Sequence, residues 1–302
     1  MASVVTGAFG YIGRYIARHL LELGEDVRTI TTHPAKPNPF GHLVKASSYH
    51  FREPEKLTSS LRGASTLYNT YWVRFEYGSA TFRQAVRNTV TLFDCAKKAG
   101  IEKIAHISVT HASDDTTLPY YKGKALQERA LVDSGVPYCV VRPTLVFGQG
   151  DILVNNIAWL IRRFPIFPIF GNGRYLVQPL YAEDLAAIAV AGARERESRV
   201  FDAIGPETFT FKGLVQLMVS KIKPETRLVH VPPWLGIASG RLIGIAVRDI
   251  ILTRDELKGL MDNKLTSDQA ANGQTRFSDW LEANKDMVGT SYSSELAKHF
   301  RC

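Results

Sequence analysis

Tyr120 and Lys124 stand four residues apart at the start of an expected helix, so a phenol and a primary amine share one helical face. A phenol near its ordinary pKa of about 10 is a poor proton carrier at neutral pH. A cation about 4 Å away contributes on the order of 4 kcal/mol at an effective dielectric near 20, which lowers that pKa by up to about three units. Such a pair can relay a proton. Taken alone, the same two residues also read as an exposed aromatic beside an incidental lysine, and Tyr121 and Lys122 are adjacent decoys. A second pattern lies near the start of the chain. Gly7, Gly10 and Gly13 follow the apolar Val4-Val5 and open a helical run from Tyr11 to Leu23. Strand, glycine turn and helix in that order form a site for the pyrophosphate of a dinucleotide. The first glycine permits the tight turn, the second lets backbone approach phosphate, and the third lets helix pack close to strand. The helix start adds unpaired N–H groups and a partial positive charge. The stripe Ile12, Ile16, Leu20 and Leu23, stopped by Gly24, lifts this pattern above a chance turn.

The elements that must position these groups alternate. Strand-like runs fall at 27–31, 65–71, 103–108 and 138–141, with helical stretches at 55–62, 80–99 and 120–134 between them. The last two helices end at Gly100 and Gly135, as helices commonly do. Alternating βα units predict an α/β fold: a doubly wound parallel sheet of Rossmann type, with ligand at the carboxyl ends of the strands. After Gly148 the regularity lapses. An amphipathic segment at 152–163, the run Phe164-Pro165-Ile166-Phe167-Pro168 and the turn Gly171-Asn172-Gly173 precede a helix at 182–193 and a strand at 200–204 that return to the sheet. Helices are expected near 211–222, 235–247, 254–262 and 292–300. The expected division is a nucleotide-binding domain over 1–148 and 176–204, with a smaller, mainly helical substrate lobe over 149–175 and 205–302.

Bulk composition narrows the classes. The chain has 302 residues, 45% of them hydrophobic and 22% charged, as in ordinary globular proteins. A net charge of +8 raises nucleic acid as a partner, but Lys and Arg are scattered and no basic run is interleaved with aromatics, so none is expected. Cys95, Cys139 and Cys302 show no paired spacing and read as reduced packing residues. His106 and His111 lack helical i,i+4 spacing, and no metal is expected. No charged–apolar–small leader opens the chain, and the apolar stretch 234–247 is broken by Arg241 and too short to span a bilayer. That stretch favours a buried amphipathic helix over one lying on a membrane surface. A cytoplasmic location follows as the expectation.

The motifs together resemble the short-chain dehydrogenase/reductase superfamily, in its extended or atypical branch of nucleotide-sugar epimerase/dehydratase relatives. They run in family order. Thr6-Gly7-Ala8-Phe9-Gly10-Tyr11-Ile12-Gly13 comes first, then Asn88, His106-Ile107-Ser108 and Tyr120-x-x-x-Lys124. Arg142-Pro143-Thr144-Leu145-Val146-Phe147-Gly148 and Gln178-Pro179-Leu180-Tyr181-Ala182-Glu183-Asp184-Leu185-Ala186 follow. The short interval from Ser108 to Tyr120 and the tail Leu252-Thr253-Arg254-Asp255-Glu256-Leu257 look most like the atypical group related to an accessory subunit of respiratory complex I. The resemblance implies that Gly7, Gly10 and Gly13 bind pyrophosphate, with Tyr11 and Ile12 supplying backbone donors. It implies that Lys124 holds the nicotinamide ribose and tunes Tyr120, that Pro143 and Val146 border the nicotinamide, and that Asn69 and Tyr71 lie beside the cofactor, with plain strand-end packing the alternative for these last two. Relatives commonly pair through the helices at 80–99 and 120–134, so a homodimer is one expectation and simple cover for the sheet the other.

Two departures bear on function. The family usually places a catalytic Ser or Thr immediately after the residue matching Ser108, and here that position is Val109, leaving Ser108 or Thr110 to offer a hydroxyl. The adenine-contacting Asp expected after the third strand is His50. The second strand ends in Thr31-Thr32-His33, with Arg14 and Lys36 near and no acid. A carboxylate there would favour NAD, whereas hydroxyls and cations suit the extra phosphate of NADP. The expectation is an NADP-dependent oxidoreductase or epimerase/dehydratase-like enzyme acting on a carbonyl, alcohol or nucleotide-sugar substrate, with Tyr120 as proton relay and Ser108 or Thr110 holding the substrate oxygen. The alternative is a non-catalytic dinucleotide-binding redox sensor or accessory subunit.

Overall fold

Short apolar runs closed by glycine or polar turns build the sheet. The computed structural model describes residues 2–300, apart from the side chains of Ser239 and His299, so Cys302 lies outside the described residues. In chain order the first half comprises β1 (Ala2–Thr6), α1 (Tyr11–Glu22), β2 (Asp26–Thr31), β3 (Val44–Ser48), α2 (Pro54–Leu61), β4 (Thr66–Asn69), α3 (Phe82–Ala99), β5 (Lys103–Ile107), α4 (Pro119–Ser134) and β6 (Tyr138–Pro143). There follow β7 (Leu145–Phe147), α5 (Leu153–Arg163), β8 (Ile166–Phe170), β9 (Leu176–Val177), β10 (Pro179–Tyr181), α6 (Ala182–Arg194), β11 (Arg199–Ala203), β12 (Phe209–Thr210), α7 (Phe211–Ile222), β13 (Arg227–Val231), α8 (Pro233–Val247), α9 (Arg254–Met261), α10 (Phe277–Asn284) and α11 (Glu295–His299).

Seven strands form one parallel sheet in the order β11-β6-β5-β4-β1-β2-β3. The chain winds from β1 outward to β3, then returns to the other side of β1 with β4. The strand order therefore reverses beside β1, where an open α/β sheet leaves its binding crevice. Helices cover both faces, which is why β5 is buried at every position, Lys103 and His106 included. Leu57, Leu61, Leu92, Phe93 and Leu131 from α2, α3 and α4 pack on Val4, Ile30, Leu67 and Ile104 of the strands.

Several boundaries differ from the sequence expectation, each for a local reason. The helix expected from residue 80 begins at Phe82, because Tyr77 and Ala80 bond each other's backbone and the Thr81 hydroxyl caps the Gln84 N–H. The strand expected over 65–71 stops at Asn69. Beyond it the Thr70 and Tyr71 N–H groups turn to side chains, the Thr6 hydroxyl and the Asn69 carbonyl. β3 had no apolar run to betray it; Val-Lys-Ala-Ser-Ser is an edge strand with one buried residue.

The chain divides into two compact units. The first runs to Pro143 and resumes over Ala182–Ala203; the second comprises Thr144–Tyr181 and the chain from Ile204 onward. The second unit is not helical throughout. Its strands pair two by two, β7 with β10, β8 with β13 and β9 with β12, around a core that includes Phe147, Phe167, Phe211 and Phe277. The run of alternating Phe, Pro and Ile at 164–170 thus supplies β8.

Candidate dinucleotide site and phenol–amine pair

The glycine turn leaves β1 beside the reversal of strand order. Gly7 takes φ +64°, a conformation that side chains with a Cβ rarely adopt. Its N–H donates to the Ile30 carbonyl at 2.8 Å, and the Ala8 N–H donates to the Thr29 hydroxyl at 3.0 Å, so β2 pins the loop. Gly10 is the N-cap of α1; no side chain caps it, and no acid stands in the first turn. The start of α1, at Tyr11 and Ile12, therefore faces the turn with no acidic side chain of its own first turn beside it, as an anion site requires. A Cβ on Gly13 would lie 2.3 Å from the Gly7 carbonyl oxygen, so helix and turn approach closely only because that side chain is missing. These residues fit a diphosphate. Gly13→Ala is expected to lower stability by about 1–3 kcal/mol through overpacking. It should also weaken dinucleotide binding, because the turn must shift. Urea unfolding and a dinucleotide titration check both effects, and unchanged affinity would remove this turn from the site.

At the end of β2, Thr31 is buried and its hydroxyl accepts the His33 N–H at 3.2 Å, while Thr32 is exposed and His33 half-buried. Arg14 lies one residue past Gly13 on α1, its guanidinium 5.9 Å from the Tyr15 ring centre. At the end of β4 the geometry gives Asn69 a task within the sheet. It is fully buried, meets the Thr6 hydroxyl at 3.1 Å and lies 3.0 Å from Nδ1 of His106, thereby linking β1, β4 and β5. His106 Nε2 has no hydrogen-bond partner among the described residues, and burial, then the Lys124 charge, holds the ring's pKa well below the usual range. Tyr71 packs against Tyr49 and Phe51, and its hydroxyl accepts from Asn88 at 2.8 Å. Where the family's Asp would stand, His50 occupies a left-handed turn at φ 47° and pairs with Glu53 at 3.3 Å.

Pro119 starts α4 one residue before Tyr120, so the phenol and the amine occupy its first two turns. They share Trp72 as a neighbour. The Tyr120 ring meets Trp72 edge-on at 5.9 Å between centres, and Lys124 Nζ lies 5.0 Å from the same indole. Trp72 is held by Gly123, where a Cβ would lie 2.4 Å from the indole. Lys124 is only 3% exposed and donates to the Ile107 carbonyl at 2.8 Å. Burial pulls its pKa down to about 7, against the opposing charge of Glu128. The amine is therefore not the fixed cation that the spacing alone implies; near neutral pH it is divided between charged and neutral forms.

The hydroxyls after β5 are engaged. Ser108 donates to Glu128, whose carboxylate also takes a fork from Arg142, Nε at 2.9 Å and Nη2 at 2.5 Å. Thr110 is fully buried with its hydroxyl 3.5 Å from the Pro143 carbonyl. Val109 packs with Leu118 and Tyr121. Pro143 closes β6 in the first unit; Val146 lies on β7 of the second, opposite Leu180. Sequence reasoning missed Trp72, Glu128 and Arg142 as site residues. Glu128 carried a signal, standing four residues after Lys124 on the same helical face; the part of Trp72 carried none. A cleft of about 260 Å³ adjoins this cluster between the starts of α3 and α4, lined by Phe82, Val86, Pro119 and Leu126 together with Arg83 and Lys122.

Comparison with known proteins agrees with this architecture. The family model described as NAD dependent epimerase/dehydratase family matches residues 3–204. A relative from Arabidopsis thaliana, NADH dehydrogenase (ubiquinone) 1 alpha subcomplex subunit 9, mitochondrial, is 23% identical over 293 residues, spanning 91% of this chain and 73% of its own. Among solved structures, an NADPH-dependent quinone oxidoreductase of Escherichia coli complexed with NADPH superposes with a TM-score of 0.76 at 19% identity, over 93% of this chain and 99% of that one. A triphenylmethane reductase of Citrobacter sp. gives 0.75 at 17% identity, over 95% of this chain and 100% of that one. The structural likenesses show a shared fold.

Proposed function

The chain belongs to the NAD dependent epimerase/dehydratase family, and on that premise we propose that it is an NADP-dependent oxidoreductase acting on a carbonyl/alcohol pair. The observation that carries this reading is the meeting of Tyr120 and Lys124 on Trp72, in the same compact unit as the glycine cradle. The backbone of Gly7, Gly10, Tyr11, Ile12 and Gly13 would hold the diphosphate, and Arg14, Thr31, Thr32 and His33 would meet the additional phosphate. When bound, the dinucleotide supplies hydride to a carbonyl carbon. Tyr120 would give its phenolic proton to the carbonyl oxygen. Lys124 has one donor committed to Ile107 and, as an ammonium, two left for a ribose hydroxyl. The aromatic neighbours of the phenol, Trp72, Phe82 and Tyr121, favour a flat apolar carbonyl compound over a hydroxyl-rich sugar. The same fold serves the NADPH-dependent quinone oxidoreductase of E. coli. Buried, unpaired Cys95 and Cys139 support a reducing compartment such as the cytoplasm.

One observation favours a second reading, a binding protein without turnover: Ser108 is committed to Glu128 and Val109 to an apolar cluster, so neither offers the hydroxyl a substrate oxygen would need. Titration of the purified protein with both reduced dinucleotides, followed by a panel of quinones, aldehydes and ketones, separates the two. The expected result is NADPH binding tighter than NADH by about tenfold, equivalent to about 1.4 kcal/mol, with NADPH consumed by at least one carbonyl. NADH binding as tightly as NADPH would overturn the cofactor assignment. NADPH bound but inert toward every carbonyl would favour the second reading.

A further inference from the structure

Helix α8 is assembled inside out. Its packed edge is made of glycines: a Cβ on Gly236 would lie 2.2 Å from the Phe170 ring, and one on Gly244 would lie 2.6 Å from the Asp249 carbonyl oxygen. Both glycines are buried. The bulky residues face the other way. Trp234 is 69% exposed, Leu242 70%, Ile245 76% and Leu235 40%. At about 100° per residue, Trp234, Ala238, Arg241, Leu242 and Ile245 form one continuous stripe. Sequence periodicity favoured a buried amphipathic helix here. The structure corrects it, because Gly236 meets the fold while Trp234, Leu242 and Ile245 meet water.

Isolated exposed apolar residues are ordinary, but a contiguous stripe of them, with a tryptophan at one end, marks a contact surface. Its charge says what kind. From Pro233 to its C-cap Arg248 the helix carries two arginines and no acid, and both Arg241 and Arg248 are exposed. An apolar stripe flanked by cations is suited to the interface of an anionic bilayer, where apolar side chains enter the acyl boundary and guanidinium groups reach the headgroups. Self-pairing through this face would bring Arg241 of each copy toward the same positive surface, which argues against a second copy as occupant. The helix has 15 residues, about 22 Å at 1.5 Å per residue, against about 30 Å of hydrocarbon. Among the described residues no helix is long and apolar enough to cross a membrane, so α8 would lie in the plane of the surface.

We infer that α8 docks this protein peripherally on anionic lipid, with Trp234, Leu242 and Ile245 inserted and Arg241 on the headgroups. The test is sedimentation of the full chain with vesicles of phosphatidylcholine alone, or with about 30% phosphatidylserine. The unaltered protein is expected to bind the anionic vesicles at least about tenfold more tightly, as two arginines near a charged surface predict. The combined variant Trp234→Ser, Leu242→Ser, Ile245→Ser should stay in the supernatant while melting like the unaltered protein, since all three side chains are exposed. Arg241→Glu is the second arm, for use if the combined variant melts early, and should weaken anionic binding by about tenfold or more. The inference fails if the unaltered protein ignores both vesicles or if the variants pellet as it does. It also fails if the protein is a dimer that the combined variant dissolves without any lipid binding, or if it binds only an acidic protein partner through this face.

Discussion

Tyr120→Phe is expected to lower kcat for carbonyl reduction by about 10²–10⁴-fold while leaving dinucleotide affinity within about twofold. The substitution removes one oxygen and keeps the ring. Its ring packs edge-on against Trp72 at 5.9 Å, Phe82 at 6.1 Å and Tyr121 at 5.4 Å, and phenylalanine reproduces these ring contacts. Stability should therefore fall by no more than about 1.5 kcal/mol, the worth of one hydrogen bond. The glycine turn after β1, where we propose the diphosphate is held, does not involve this side chain. A loss of turnover without a loss of binding assigns the hydroxyl to proton transfer, read by steady-state kinetics beside a binding titration. Turnover that survives the change would take Tyr120 out of the chemistry and leave the fold and the cradle untouched.

Lys124→Met should make the protein more stable and less able to bind its dinucleotide. Lys124 is buried with its pKa lowered from 10.5 to about 7. Between those values the unfolded chain holds a proton that the folded chain does not, so stability rises with pH across that window. Above about 10.5 both states are neutral and burial carries no charge penalty. As pH falls the penalty grows, and below about 7 it is fully present. Methionine fills a similar volume without a charge, at the loss of the hydrogen bond to Ile107, about 1 kcal/mol. A net gain of about 1–4 kcal/mol is expected at pH 7, shrinking toward zero or below as pH approaches 10. Urea midpoints of both proteins at three pH values check it. A variant that is less stable at pH 7, or a difference that does not vary with pH, would mean that the amine is well solvated in the folded protein. An ionisable group kept where it destabilises the fold supports the proposed role of Lys124.

The alternation of strand and helix was legible because it rests on interactions within a few residues. A run such as Lys103–Ile107, closed by turns and buried on both sides, can only be an inner strand, and Gly100, at φ +81°, ends α3 as its type announced. The cradle was legible for the same reason: Gly7, Gly10 and Gly13 meet one another within seven residues of chain, so their spacing encodes their contact. Tyr120 and Lys124 share a face by helical geometry alone, and their meeting on Trp72 was not in the spacing.

Partners far apart in the chain could not be read. Ser108 is tied to Glu128 and Asn69 to His106, and these contacts depend on how α4 crosses the sheet and on the register between β4 and β5. Trp72 enters the site because Gly123 leaves room for an indole from another loop. The same limit governs α8, whose apolar composition is plain from residue types. Which side meets water depends on where Phe170 leaves space, and that space admits only glycine. Local periodicity thus dictates the elements, the glycine turn and the phenol–amine spacing. The ionisation of Lys124, the engagement of Ser108 and the outward face of α8 arise only from packing between distant segments, because burial and hydrogen bonding belong to the assembled surroundings and not to residue order.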